Sequence, residues 1–138
     1  MIIGVDHIGV ATADPAGAGS LLALLGLSMA DSGEAEDYDV DCQFWTFATG
    51  GPAVELVSPR NEQAAVNRRL ARQEQGLYHV AFEVDQLTDE LDRLRREGFV
   101  LIDRRPRAGA RPGMRVAFVY APRPARFLIE LVEYQRPA

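Results

Sequence analysis

The chain repeats itself at an offset of 72 residues, and this repeat constrains its fold more than any other feature. Asp6-His7-Ile8 falls on Tyr78-His79-Val80, Leu22 on Leu94, Gly26 on Gly98 and Asp31 on Asp103. Later in each half, Ala53-Val54-Glu55-Leu56-Val57 falls on Leu128-Ile129-Glu130-Leu131-Val132 once three loop residues are allowed for. Each half then reads as strand, helix and three further strands. Two such units fill the 138 residues as one domain, with module one over about 1–60, a linking helix over about 61–75 and module two over about 76–138.

Local signals agree with this division. Ile2 to Val10 alternates as a strand and ends at Asp14-Pro15, an N-cap followed by proline at the first helical position. The helix runs to about Leu25 and stops at Gly26. Gly17 and Gly19 each cost it up to ~1 kcal/mol relative to alanine, so packing of Leu21, Leu22, Leu24 and Leu25 is expected to hold it. In the second half Leu87, Leu91 and Leu94 recur at helical spacing behind Asp85, Asp89 and Arg93 stand one turn apart, and Gly98 supplies the stop. Further strands are expected at Leu27 to Asp31, Val40 to Ala48, Ala53 to Ser58, Leu77 to Val84, Phe99 to Asp103, Met114 to Ala121 and Arg126 to Tyr134. The linking helix should span Asn61 to Gln75 and end at Gly76. Asp31 to Asp39 and Arg104 to Pro112 occupy corresponding positions and are expected to be mobile loops beside any substrate.

The repeat also pairs the residues able to do chemistry. Both histidines of the chain, His7 and His79, occupy one repeat position, each followed on its own strand face by a very small residue, Gly9 or Ala81. Glu55 and Glu130 occupy another, mid-strand between apolar neighbours, where a buried carboxylate is costly unless paired, protonated or bound to a metal. A lone histidine on a strand is more often a hydrogen-bonded core residue, and a lone strand glutamate often reaches solvent. One of each per half should instead converge on the axis relating the halves. Two imidazoles and two carboxylates suit one divalent ion of moderate softness, Mn, Co, Ni, Zn or Fe, with positions left for water or substrate.

Composition excludes several alternatives. All fifteen basic residues are arginine, which removes lysine Schiff-base chemistry and a P-loop lysine, and a net charge of −5 lacks the basic footprint of a nucleic-acid binder. The single Cys42 forms no internal disulfide. The longest apolar helix-like run, Leu21 to Leu27, is far below the ~20 residues of a membrane span. The first residues show no basic segment ahead of an apolar one, so no membrane partner and a cytoplasmic location are expected.

The whole chain resembles the vicinal oxygen chelate, or glyoxalase/bleomycin-resistance-like, superfamily. Within it, Val5-Asp6-His7-Ile8-Gly9-Val10, Val54-Glu55-Leu56-Val57-Ser58-Pro59, Tyr78-His79-Val80-Ala81-Phe82-Glu83-Val84-Asp85, Leu101-Ile102-Asp103 and Leu128-Ile129-Glu130-Leu131 are most similar to methylmalonyl-CoA epimerase. The resemblance implies an α+β fold of two βαβββ modules forming a curved mixed sheet around a central metal cleft. It implies metal ligands at His7, Glu55, His79 and Glu130, proton transfer by Glu130 and Glu55 at the carbon next to a carbonyl, a small substrate such as an acyl-CoA, and a homodimer.

Departures from that subfamily narrow the expectation. Aligned without gaps, the second catalytic glutamate of such epimerases falls on Gln43, whose amide cannot shuttle a proton. Weak or absent activity on methylmalonyl-CoA, raised by Gln43→Glu, is the corresponding expectation. A glyoxalase-type lyase with Glu55 and Glu130 as its two bases has no need of Gln43, and a metal-free binding protein of the same fold is a third reading. Gln43, Trp45 and Tyr120 are candidates for the cleft wall, although strand aromatics are more often core. Arg107, with Arg104, Arg105 and Arg111, stands open to two readings, a contact for CoA phosphates or a solvated loop.

Overall fold

A computed structural model of the chain describes residues 1–73 and 76–135. Strand β1 (Ile2–Ala11) is followed by helix α1 (Pro15–Leu24) and strands β2 (Ser28–Ala35), β3 (Val40–Thr46) and β4 (Ala53–Pro59). Helix α2 (Val66–Gln73) leads to β5 (Gly76–Val84), helix α3 (Leu87–Arg96), and strands β6 (Val100–Leu101), β7 (Arg107–Ala108), β8 (Met114–Tyr120) and β9 (Leu128–Tyr134). All nine strands join one sheet in the order β2-β3-β4-β1-β5-β9-β8-β6, with β7 added to β8. The sheet is mixed, because β1 pairs β4 and β5 pairs β9 in parallel while the other neighbours run antiparallel. The expected α+β architecture of two βαβββ modules is present.

The repeat is written into the register. Gly9 stands opposite Glu55 across β1 and β4, and its repeat mate Ala81 stands opposite Glu130 across β5 and β9. At the seam between the halves, β1 pairs β5 so that His7 faces Ala81 and Gly9 faces His79. Exchanging the halves turns one pair into the other, so the local two-fold axis passes between them. Both helices α1 and α3 end on repeat-matched glycines in the left-handed region, Gly26 (φ 97°) and Gly98 (φ 92°).

Strand alternation divides the core into two layers. Val40, Cys42 and Phe44 of β3, Ala53 and Val57 of β4, Met114 and Val116 of β8 and Val132 of β9 pack on the concave face. Val84, Ala117, Val119, Ile129 and Leu131 pack on the other face under Leu87, Leu91 and Leu94 of α3.

Several local expectations are corrected. Of the leucines expected to hold helix α1, Leu21, Leu24 and Leu25 are exposed and only Leu22 is half-buried, whereas Gly19 is buried where a Cβ would come within 2.7 Å of the Trp45 ring. On α3, Arg93 pairs with Glu90 at 2.8 Å and not with Asp89, and Asp85 binds the N-terminal ammonium at 2.6 Å. The linking helix begins only at Val66 because Asn61 folds back on its own chain, its side chain accepting from the Gln63 N–H and its carbonyl from the Asn67 amide. Residues 74–75, the end of the expected helix, lie outside the described residues.

The stretch Asp31 to Asp39 is not a loop. Pairing of β2 with β3 continues to Ala35–Val40, and a 3-10 turn over Glu36–Tyr38 closes the hairpin, with Asp39 at φ 56°. Within Arg104 to Pro112, β7 pairs β8, and the Ala110 carbonyl sits against Gly33, where any Cβ would collide with it. Strand β6 stops two residues early because Ile102 and Asp103 both donate to the Phe118 carbonyl, after which the buried Asp103 carboxylate takes over. It accepts from the Phe118 N–H (2.9 Å), the Tyr38 hydroxyl (2.8 Å) and Arg107 Nε (2.9 Å). Asp103→Ala strands these donors, and a loss of about 3 kcal/mol in unfolding free energy is expected from urea titration.

Candidate metal centre

The seam brings all four repeat-matched residues together. His7, Glu55, His79 and Glu130 are each buried, at 0%, 4%, 5% and 6% exposure. The two Nε2 atoms lie 3.2 Å apart, and Glu55 Oε1 is 3.2 Å from that of His7 and 3.3 Å from that of His79. Glu130 Oε1 is 2.9 Å from His7 Nε2 and 3.8 Å from His79 Nε2, yet it has no well-aligned donor. One donor atom each from His7, Glu55 and His79 fits within a span of 4.8 Å. Donors bound at about 2.1 Å to one ion stand about 3.0–3.4 Å apart, so this set fits a metal ion.

Packing makes the convergence possible. The small residues do not leave pockets beside their own histidines, as alternation alone suggests. Gly9 instead makes room for the imidazole of His79 from the neighbouring strand, where any Cβ would overlap the ring. Edge-on contacts hold both rings: Phe44 against His7 at 5.6 Å between centroids, and Tyr78 and Phe118 against His79 at 5.3 and 5.2 Å.

Electrostatics favour a cation here. Burial alone would lower the pKa of His7, but the carboxylates of Asp6, Glu130 and Glu55 around it push it up to about 12. Burial alone would raise Glu55, yet the two imidazoles hold it below the usual carboxylate range.

Asp6 is a functional neighbour that strand alternation conceals. Successive strand residues normally point to opposite faces, but the pairing slips between Val5 and His7, and this bulge turns the Asp6 carboxylate beside the ring. His7 Nδ1 donates to Asp6 Oδ2 at 2.7 Å, which leaves Nε2 for the centre. The only sequence signal is an acid immediately before a histidine. A matching slip occurs at Tyr78, the repeat mate of Asp6, but Tyr78 brings no carboxylate, and His79 Nδ1 has no hydrogen-bond partner among the described residues.

The centre opens into a narrow cleft, and Glu55, His79 and Glu130 are on its lining. Its walls are mainly apolar, among them Val40, Cys42, Val57, Val66, Met114 and Phe118, with the phenols of Tyr38 and Tyr78. Burial pushes the Cys42 thiol up, so it stays protonated.

Gln43, Trp45 and Tyr120, the candidates for the cleft wall, and Arg107, the candidate phosphate contact, are not on the lining of this cleft. Val40, Cys42 and Phe44 take the inner face of β3, so Gln43 and Trp45 face α1, where Trp45 Nε1 donates to Gln43 Oε1 at 3.1 Å. Tyr120 lines a second groove with Ile8, Leu77 and Phe127 that shares Tyr78 and His79 with the cleft, and its hydroxyl donates to the Arg126 carbonyl. Arg107 is spent on Asp103 and on the ring of Tyr38, 5.7 Å from its centroid.

Residues 6–118 match the sequence pattern of the glyoxalase/bleomycin resistance protein/dioxygenase superfamily. The chain belongs to that superfamily. The YqjC protein of Bacillus subtilis (strain 168) is 34% identical over 130 residues, covering 94% of this chain and 91% of its relative. Among solved structures, hypothetical protein BH1468 from Bacillus halodurans C-125 superposes with a TM-score of 0.83 at 26% identity, over 97% of this chain and 96% of that one. Methylmalonyl-CoA epimerase from Mycobacterium tuberculosis superposes with a TM-score of 0.88 at 25% identity, over 98% of this chain and 90% of that one. The superfamily member described here thus has the fold of these epimerases, and no helix among its described residues is long and apolar enough to cross a membrane.

Proposed function

We propose that the chain is a metal-dependent isomerase or epimerase acting at the carbon next to a carbonyl. His7, Glu55, His79 and Glu130 hold one divalent ion of the Mn, Co, Ni, Zn or Fe type, and Glu130 and Glu55 exchange the proton. The observation that carries this reading is the meeting of one carboxylate from each half on a single histidine pair, opening into an apolar cleft.

The ion would stabilise the negative charge that grows on a substrate carbonyl oxygen when its α-proton leaves. The protein does the rest. Glu130 and Glu55, one from each half, are the two carboxylates that can take the α-proton, and the one that returns a proton to the opposite face must first take that proton up from water. Apolar walls limit water around the planar, electron-rich form of the substrate. With Gln43 turned toward α1, the proton-transfer pair consists of the two glutamates at the centre. That geometry also supports the second reading, a glyoxalase-type lyase that uses the same two bases. A metal-free binding cleft would have no use for two buried carboxylates.

For the substrate we propose a small acyl thioester, supported by the likeness to methylmalonyl-CoA epimerases, one of them solved with methylmalonyl-CoA at a TM-score of 0.86 and 25% identity. A cytoplasmic homodimer is part of the proposal, and the exposed leucines of α1, Leu21, Leu24 and Leu25, offer an apolar surface for a second copy. The test is incubation of the metal-loaded protein with short-chain acyl-CoA thioesters in deuterium oxide, followed by proton NMR. Deuterium should enter only the α-position. No exchange in any thioester, with turnover of a hemithioacetal instead, would move the assignment to the lyase reading.

A further inference from the structure

Arg111 approaches two side chains that brace the His7 ring, Asp6, at 3.8 Å from Nη1 to Oδ2, and Phe44. Its Nη1 donates to the Tyr134 hydroxyl at 2.9 Å, and that hydroxyl donates to the Asp6 carboxylate at 2.9 and 3.0 Å. The Asp6 carboxylate in turn accepts from His7 Nδ1 at 2.7 Å. On the other side, the guanidinium carbon lies over Phe44, 3.7 Å from the ring centroid, and Phe44 packs edge-on against the same imidazole. A further bond from Nε to Asp31 at 3.1 Å fixes the guanidinium to β2.

We infer that Arg111 and Tyr134 are positioning residues for the metal centre, fixing the tautomer and angle of His7 from the second half of the chain. This rests on the reading of His7 as a metal ligand. The chemistry is that of a carboxylate–histidine pair extended by two more members. Asp6 holds the proton on Nδ1 so that the Nε2 lone pair faces the centre, Tyr134 keeps the Asp6 carboxylate in the plane that accepts this proton, and Arg111 holds Tyr134. His79 has no equivalent chain among the described residues, since its Nδ1 finds no hydrogen-bond partner there and its ring is set by packing and by the contacts of its Nε2 at the centre. The two histidines, alike by repeat, are therefore unlike as ligands. Arg111 also directly follows Gly109 and Ala110 on the cleft wall, so the brace that sets His7 sets that wall as well.

Tyr134→Phe removes one oxygen and little packing, and Arg111→Met removes the guanidinium while keeping its apolar stem. Each should weaken Zn²⁺ binding to the full-length protein by about 10–100-fold in a chelator competition, as loss of such supporting groups does. With only two histidines present, nitrogen NMR of the zinc-loaded protein resolves them individually. The wild type should show one slowly exchanging Nδ1–H, from His7, and either substitution should speed its exchange while leaving His79 unmoved. Unchanged zinc affinity and an unchanged His7 signal in Tyr134→Phe would overturn the inference, as would equal shifts of both histidines, which a general loosening would produce. A wild type that takes up no zinc would instead remove the metal reading beneath it.

Discussion

Glu130→Gln and Glu55→Gln should each cut α-proton exchange at saturating substrate by about 10²–10⁴-fold, the usual cost of removing a general acid or base. Either amide keeps the shape of its carboxylate and still offers an oxygen to an ion, so the defect should appear in turnover more than in half-saturation. Full activity in Glu130→Gln would exclude the mechanism. Gln43→Glu, a gain of function under an ungapped alignment, is expected to change nothing in catalysis, because that side chain faces α1 and bonds Trp45. A rise in activity from it would mean that β3 presents its other face to the cleft.

His7→Ala and His79→Ala should each cost more than the roughly 100-fold in metal affinity that a supporting residue commands, leaving protein that loses its metal on dialysis. Binding by the wild type should depend steeply on pH. In the metal-free protein His7 keeps a proton up to about 12, and an ion must displace it from Nε2. Apparent affinity should therefore rise about tenfold per pH unit through neutrality, with about one proton released per ion, which a pH-stat reads directly. Glu55, held below the usual range by the imidazoles, does not compete. The same shifts act on the stability of the metal-free fold. The raised His7 contributes fully below its ordinary 6.5 and fades as pH climbs toward about 12, while the lowered Glu55 contributes above its ordinary 4.5 and fades in acid.

The repeat makes the seam readable from sequence. Pairing His7 with His79 and Glu55 with Glu130 requires only an offset, and a two-fold axis then places all four together. What the sequence conceals depends on single-residue steps. A strand turned by one residue exchanges its faces, which is why Cys42 occupies the wall in place of Gln43. A bulge breaks alternation altogether, so Asp6 meets His7 although neighbours on a strand should part. Arg111 lies 104 residues from His7 by subtraction of their numbers, and no local pattern marks it. The leucines of α1 mislead for another reason: the helix turns Gly19 to Trp45, and Leu21, Leu24 and Leu25 fall on its exposed faces.

The crossed pairing at the seam has a consequence for how the molecule coheres. Each half supplies one imidazole and one carboxylate, and Gly9 of the first half seats the imidazole of the second. Neither half alone carries more than two donors, so an ion bound here is a rivet through both. Its binding free energy opposes their separation, and the melting temperature should climb with the logarithm of free metal. A chelator would then act on this protein much as a reductant acts on one joined by a disulfide.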